Sequence, residues 1–118
     1  SKNKEFEKDN VAEKMEQAKI IMNENVCKEI DPEELAEKLN ISYSWFRKTF
    51  KKYTGYSPAK YFQELKLRKA KQILINTSYP VKEICFMIGY TSTEHFSNLF
   101  KKNTGLTPLE YRSFGKDE

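Results

Sequence analysis

The chain has 118 residues, 38% hydrophobic and 32% charged, enough apolar side chain for one domain or two small lobes and no more. Four Gly and four Pro are too few to punctuate a many-turned β fold, so long helices are expected. The net charge of +4 is uneven: residues 1–40 hold seven Lys/Arg against eleven Asp/Glu, and residues 41–118 hold fourteen against six, a concentration that suits a polyanionic partner.

In chain order, Val11, Met15, Ala18, Met22 and Val26 recur at three-to-four spacing and predict a first helix over about 10–27, after an N-terminal tail at 1–9 that reads as a domain boundary. Asp31-Pro32-Glu33-Glu34 is a helix start, with an N-cap, a proline in the first turn and acids at the positive end of the dipole. That helix runs to about Leu39. Ser42 caps the next, Tyr43 to about Tyr53, which Gly55 stops in a left-handed conformation. Ser57-Pro58 opens a long helix to about Asn76, with Tyr61, Phe62, Leu65, Leu67, Ala70, Ile73 and Leu74 as its apolar stripe. Pro80 opens a short helix ending at Gly89. Ser92 caps another, Thr93 to about Asn103, closed by Gly105, and Thr107-Pro108 starts a last helix through about Ser113, leaving 114–118 as a tail.

A repeat organises these elements. Residues 46–62 read FRKTFKKYTGYSPAKYF and residues 96–112 read FSNLFKKNTGLTPLEYR, at a constant offset of 50. Phe46 and Phe50 match Phe96 and Phe100, Gly55 matches Gly105, and Pro58 matches Pro108. Upstream lie EELAEKLNIS and VKEICFMIGYTS, which align with one residue of difference in the turn. The predicted fold is therefore all-α: two tandem helix-turn-helix subdomains, 10–56 and 77–113, joined by a linker helix at 57–76, about seven helices in all.

A short helix, a tight turn and a second amphipathic helix can place that second helix in the major groove of duplex DNA. In the first copy Phe46 and Phe50 are assigned to the core, and Tyr43, Ser44, Arg47, Lys48 and Lys51 to solvent. Arg47 is the best reader, because a guanidinium can pair bidentately with guanine O6 and N7. Lys51 and Lys52 are placed against phosphates. In the second copy the exposed face holds Thr93, Glu94, His95, Ser97, Asn98, Lys101 and Lys102. Asn98 can read adenine, Glu94 can accept from cytosine, and His95 can do either or neither. Ser42, Tyr43, Ser92, Thr93, Ser97, Lys101 and Lys102 join Lys51 and Lys52 as backbone candidates, although a lysine pair is also compatible with a merely solvated face. Trp45 fits a core rim, a DNA backbone contact or a partner surface. Gly55, Pro58, Gly89, Gly105 and Pro108 are structural, as is Arg68, which is expected to bridge the lobes through a carboxylate. Lys66, Lys69 and Lys71 are expected in solvent.

At nineteen residues the linker helix is roughly 28 Å long. Major-groove segments on one duplex face repeat every ~34 Å, so one monomer can read two unlike half-elements of an asymmetric site.

The pattern LAEKLNISYSWFRKTFKKYTGYSPAKYF…LKLRKAKQIL…VKEICFMIGYTSTEHFSNLFKKNTGLTPLEYR resembles the AraC/XylS family of bacterial transcription regulators over residues 10–113. The resemblance implies a DNA-binding output domain, an activator by family habit, whose base-contacting slots fall on Ser44, Arg47 and Lys48, then on Glu94, His95 and Asn98. It implies RNA polymerase as a partner and dimerisation of an intact protein through a further domain, this domain alone being monomeric. Cys85 stands where the family usually has Ala. Glu94 is a second departure, since an acid near DNA weakens binding unless a base donor meets it.

No cofactor or metal is expected. Cys27, Cys85 and the single histidine do not make a zinc spacing, and both cysteines read as buried free thiols in a reducing cytosol. His95 lacks the nucleophile or orienting carboxylate an enzyme would need. No apolar run reaches membrane length, and a cytoplasmic location is expected. The competing reading is a helical protein-interaction module of the same fold that does not bind DNA.

Overall fold

The computed structural model describes residues 2–116, with side chains from Asn10 to Gly115. Among the described residues there are seven helices and no strand: α1 (Lys2–Glu24), α2 (Pro32–Lys38), α3 (Tyr43–Thr54), α4 (Pro58–Asn76), α5 (Val81–Met87), α6 (Thr93–Thr104) and α7 (Pro108–Lys116). Two ends differ from expectation. Helix α1 already runs from Lys2 through the segment expected to be a tail, and α7 continues past Ser113 to Lys116. Ser1 and residues 117–118 lie outside the described residues.

Helix α1 stops at Glu24 rather than Cys27. Asn25 closes it, with its backbone N–H on Ile21 O and its side-chain amide on the same carbonyl at 2.7 Å. Val26 therefore leaves the helical stripe, and its carbonyl is taken by Lys66 Nζ at 2.8 Å.

The chain forms two compact units. The first comprises the chain up to Asn25 and Glu29–Gln63; the second comprises Val26–Lys28 and everything from Glu64 onward. Helix α4 is thus shared between them, and the second unit incorporates three residues from the connection between α1 and α2.

In the first unit Met15, Ala18 and Met22 of α1, Leu35 and Ala36 of α2, Leu39, and Phe46 and Phe50 of α3 are buried. In the second, Leu67, Ala70 and Leu74 of α4 pack with Ile84, Cys85, Ile88, Phe96 and Phe100. The two sets correspond closely. Lys14-Met15, Ala18 and Met22 match Lys66-Leu67, Ala70 and Leu74 at an offset of 52. The duplicated unit is therefore a three-helix one, a long helix followed by a helix-turn-helix.

The turns repeat as well. Ile41 N–H donates to Ala36 O at 3.1 Å, and Tyr90 N–H to Cys85 O at 3.0 Å. The residue that reverses the chain is left-handed in both copies: Asn40 at φ 58° and Gly89 at φ 87°. Asparagine tolerates that conformation. At Gly89 a Cβ would lie 2.8 Å from Lys66 Nζ and 3.0 Å from Cys27 O, so the second copy requires glycine for space as well as for φ.

Three side chains depart from the sequence reading. Lys66, expected in solvent, is only 5% exposed. Arg68, expected to bridge the lobes, is exposed and forms no ion pair among the described residues. The reason is rotation: Leu67, Ala70 and Leu74 carry the core face of α4, which turns Lys66 inward and Arg68 outward. Cys27 is exposed and only Cys85 is buried. Burial pushes the Cys85 thiol above its ordinary range, partly opposed by a hydrogen bond with Thr93. Because the thiolate is the reactive form, a thiol-specific reagent at mildly alkaline pH should modify Cys27 in the native protein, whereas Cys85 should react only after denaturant is added; simultaneous labelling of both thiols in the native state would contradict this assignment.

Candidate nucleic-acid interface

Helix α3 begins at the Ser42 N-cap, whose Oγ accepts the Trp45 N–H at 3.2 Å. Helix α6 begins in the same way, with Ser92 Oγ accepting the His95 N–H at 3.1 Å. Both helices end at a left-handed glycine, Gly55 and Gly105, whose N–H returns to Lys51 O and Lys101 O. Just before each glycine a threonine closes the helix. Thr54 Oγ1 donates to Phe50 O and accepts from Tyr56 N–H, and Thr104 Oγ1 donates to Phe100 O and accepts from Leu106 N–H.

The rotation of each helix is set by its phenylalanines. Phe46, Phe50, Phe96 and Phe100 are all 0% exposed. Phe50 meets Tyr61 edge-on at 5.2 Å between ring centroids, and Phe100 meets Tyr111 edge-on at the same 5.2 Å. At 100° per residue the opposite face must face solvent. On α3 this leaves Tyr43, Ser44, Arg47, Lys48, Lys51 and Lys52 exposed, together with Ser42. On α6 it leaves Glu94, His95, Asn98, Lys101 and Lys102 exposed, together with Ser92, while Thr93 and Ser97 are half-buried. Trp45 sits at the rim of an open groove that Val11, Lys14 and Ile41 also line. His95 lies against the Tyr90 ring at 6.0 Å.

The two faces differ in charge. Arg47, Lys48, Lys51 and Lys52 give α3 four cations and no acid, whereas α6 sets Lys101 and Lys102 against Glu94. Each helix is tied down by a carboxylate of its own unit at one matching position. Tyr53 Oη donates to Glu16 Oε1 at 2.8 Å, and Asn103 Nδ2 donates to both oxygens of Glu64 at 3.0 and 3.2 Å. The Tyr53 hydroxyl holds the Glu16 carboxyl below the usual carboxylate range, and the same bond raises the Tyr53 phenol.

A family profile described as a helix-turn-helix domain matches residues 35–113. The chain belongs to the AraC/XylS family. It is 33% identical over 99 residues to the HTH-type transcriptional regulator GbdR of Pseudomonas aeruginosa, covering 84% of this chain and 27% of the relative. It is 30% identical over 104 residues to the HTH-type transcriptional activator RhaS of Salmonella schwarzengrund, covering 88% of this chain and 37% of that one. In structure it resembles a transcriptional regulator with an AraC-type DNA-binding domain from Chromobacterium violaceum, with a TM-score of 0.82, 30% identity, and 86% and 91% of the two chains covered. The chain therefore spans about a quarter to about a third of the length of these curated relatives.

Within this AraC-type fold, the sequence reading missed two side chains that hold the second unit together. Lys66 is one. The other is Arg112, whose Nε donates to Leu74 O at 3.0 Å and whose Nη2 donates to Tyr79 O at 2.6 Å. It thereby caps the end of α4 and holds the loop into α5. The Lys-apolar-x-x-Ala repeat at offset 52 was a signal that could have found Lys66; Arg112 has no counterpart in the first copy, where Phe62 stands. Replacing Ser42 with alanine removes the α3 cap and should lower stability by about 1 kcal/mol, read as a shift of the urea midpoint at constant m-value; an unchanged midpoint would mean the cap contributes nothing.

Proposed function

We propose that this chain is the DNA-binding output domain of a bacterial transcription regulator, entering the major groove with the exposed faces of α3 and α6. The observation that carries this reading is the duplicated pair of capped helices, each locked in rotation by two buried phenylalanines so that Arg, Lys, Ser and Asn side chains face solvent. In this reading Arg47 reads guanine, with Ser44 and Lys48 beside it. Asn98 reads adenine, and Glu94 accepts from a cytosine amine. Lys51, Lys52, Lys101 and Lys102 meet phosphates and set register without reading sequence.

In this reading the two helices enter adjacent major-groove segments. The site is asymmetric because the helices carry different side chains. The cationic surplus of α3 makes the first half-element the chief source of salt-dependent affinity. Contact with RNA polymerase, transcriptional activation, dimerisation through a further domain and a cytoplasmic location belong to the intact regulator in this reading, the domain alone binding as a monomer.

The test begins with selection of bound duplexes from a random pool, followed by anisotropy titration at several salt concentrations. Log affinity should fall steeply and linearly with log salt on the selected duplex. Affinity indifferent to both salt and sequence would instead favour a protein-interaction module, for which Trp45 and Tyr43 are among the exposed aromatic side chains. Arg47→Ala should lose about 1–3 kcal/mol of discrimination at one base position. Equal weakening on all sequences would reassign Arg47 to a phosphate.

A further inference from the structure

We propose that Lys14 and Lys66 are positioning residues, each setting the pose of the reading helix in its own unit; the proposal rests on the DNA-binding reading above. In the first unit Lys14 Nζ, from α1, donates to Leu39 O at 2.7 Å, and Leu39 is the C-cap of α2. In the second unit Lys66 Nζ, from α4, donates to Ile88 O at 2.5 Å, and Ile88 is the C-cap of α5. The lysines are equivalent in the duplication, each immediately preceding a buried core residue at the matching position of its long helix, Met15 or Leu67.

The carbonyl each one takes is a special one. A helix leaves its last carbonyls without backbone donors. Leu39 and Ile88 are followed directly by the left-handed residues Asn40 and Gly89, where the chain turns toward the reading helix. An ammonium on that carbonyl fixes the elbow against the long helix. The direction in which α3 or α6 leaves the elbow then follows from one nitrogen atom.

The second clamp is the stronger. Lys66 Nζ also donates to Val26 O at 2.8 Å and Lys28 O at 2.7 Å, so its three N–H groups meet three carbonyls. The carbonyls of Val26 and Lys28 belong to the three-residue segment between α1 and α2 that the second unit incorporates. Gly89 leaves the room this needs, since a Cβ there would stand 2.8 Å from the ammonium.

A residue that merely stabilises the protein changes the folded fraction, and with it the binding of both half-elements together. A positioning residue changes the reading of its own half-element. The experiment uses the full chain and a fluorescein-labelled duplex of the selected sequence, with either half-element scrambled in turn. Arg47→Ala and Asn98→Ala identify which half belongs to which helix. Wild-type protein should lose affinity when either half is scrambled. Lys14→Met should abolish the penalty for scrambling the first half and keep the penalty for the second; Lys66→Met should do the reverse, each on a scale of about tenfold. Lys14→Arg and Lys66→Arg should restore discrimination, because a guanidinium still donates to the elbow carbonyl. If Lys66→Met does not fold by circular dichroism, Lys66→Arg and Gly89→Ala supply the second arm, with Gly89→Ala expected to weaken only the second half. Equal losses on both halves, or penalties unchanged from wild type, overturn the positioning role while leaving DNA binding intact. A wild-type protein that cannot tell the selected duplex from either scrambled one overturns both readings.

Discussion

Two phenylalanines four residues apart decide what each reading helix can offer. Phe46 and Phe50 on α3, and Phe96 and Phe100 on α6, are wholly buried, with a tyrosine ring edge-on against the second of each pair. Truncating a buried ring of this kind typically costs about 3–5 kcal/mol, comparable to much of the total stability of a small domain. The rotation of both helices is therefore not free to vary. What remains on the other side can change residue by residue without disturbing the packing that aims it.

The two copies use that freedom differently. The framework of caps, threonine closures, left-handed glycines and edge-on tyrosines recurs in both copies, while the matching positions between the phenylalanines diverge, Arg47-Lys48 in one and Ser97-Asn98 in the other. Even the tether to a carboxylate is kept with a different side chain, Tyr53 reaching Glu16 and Asn103 reaching Glu64. The chemistry of recognition is thus variable on a constant frame.

Much of this frame was legible in the sequence because the signals are local. A serine at an N-cap, a glycine at a helix stop and phenylalanines at four-residue spacing act within one or two turns, and the offset of 50 exposed them twice. What escaped depended on distant backbone. Lys66 finds carbonyls 22 to 40 residues away, and Arg112 finds them 33 to 38 residues away. A backbone carbonyl has no residue identity, so composition offers no partner for Lys66, and Arg68 stood out instead as the cation expected to meet a carboxylate. Cys27 was misplaced for a related reason. Its place at the end of the helix expected over about 10–27 suggested a buried thiol, whereas Asn25 had already ended the helix. For α3 and α6 the core phenylalanines settle the opposite face by geometry, which placed most of the exposed residues; Thr93 and Ser97, expected in solvent, are half-buried.

The incorporation of Val26–Lys28 into the second unit makes the two halves of the molecule inseparable in a practical sense. A polypeptide cut at the apparent boundary, beginning at Glu64, would carry Lys66 with Ile88 O and without the carbonyls of residues 26 and 28. During synthesis those three residues leave the ribosome long before the lysine that will hold them. The chain uses one kind of module twice, yet the later module completes its interior with a strip of the earlier one's connecting chain, so recombination that shuffles one module alone would separate a buried ammonium from its acceptors.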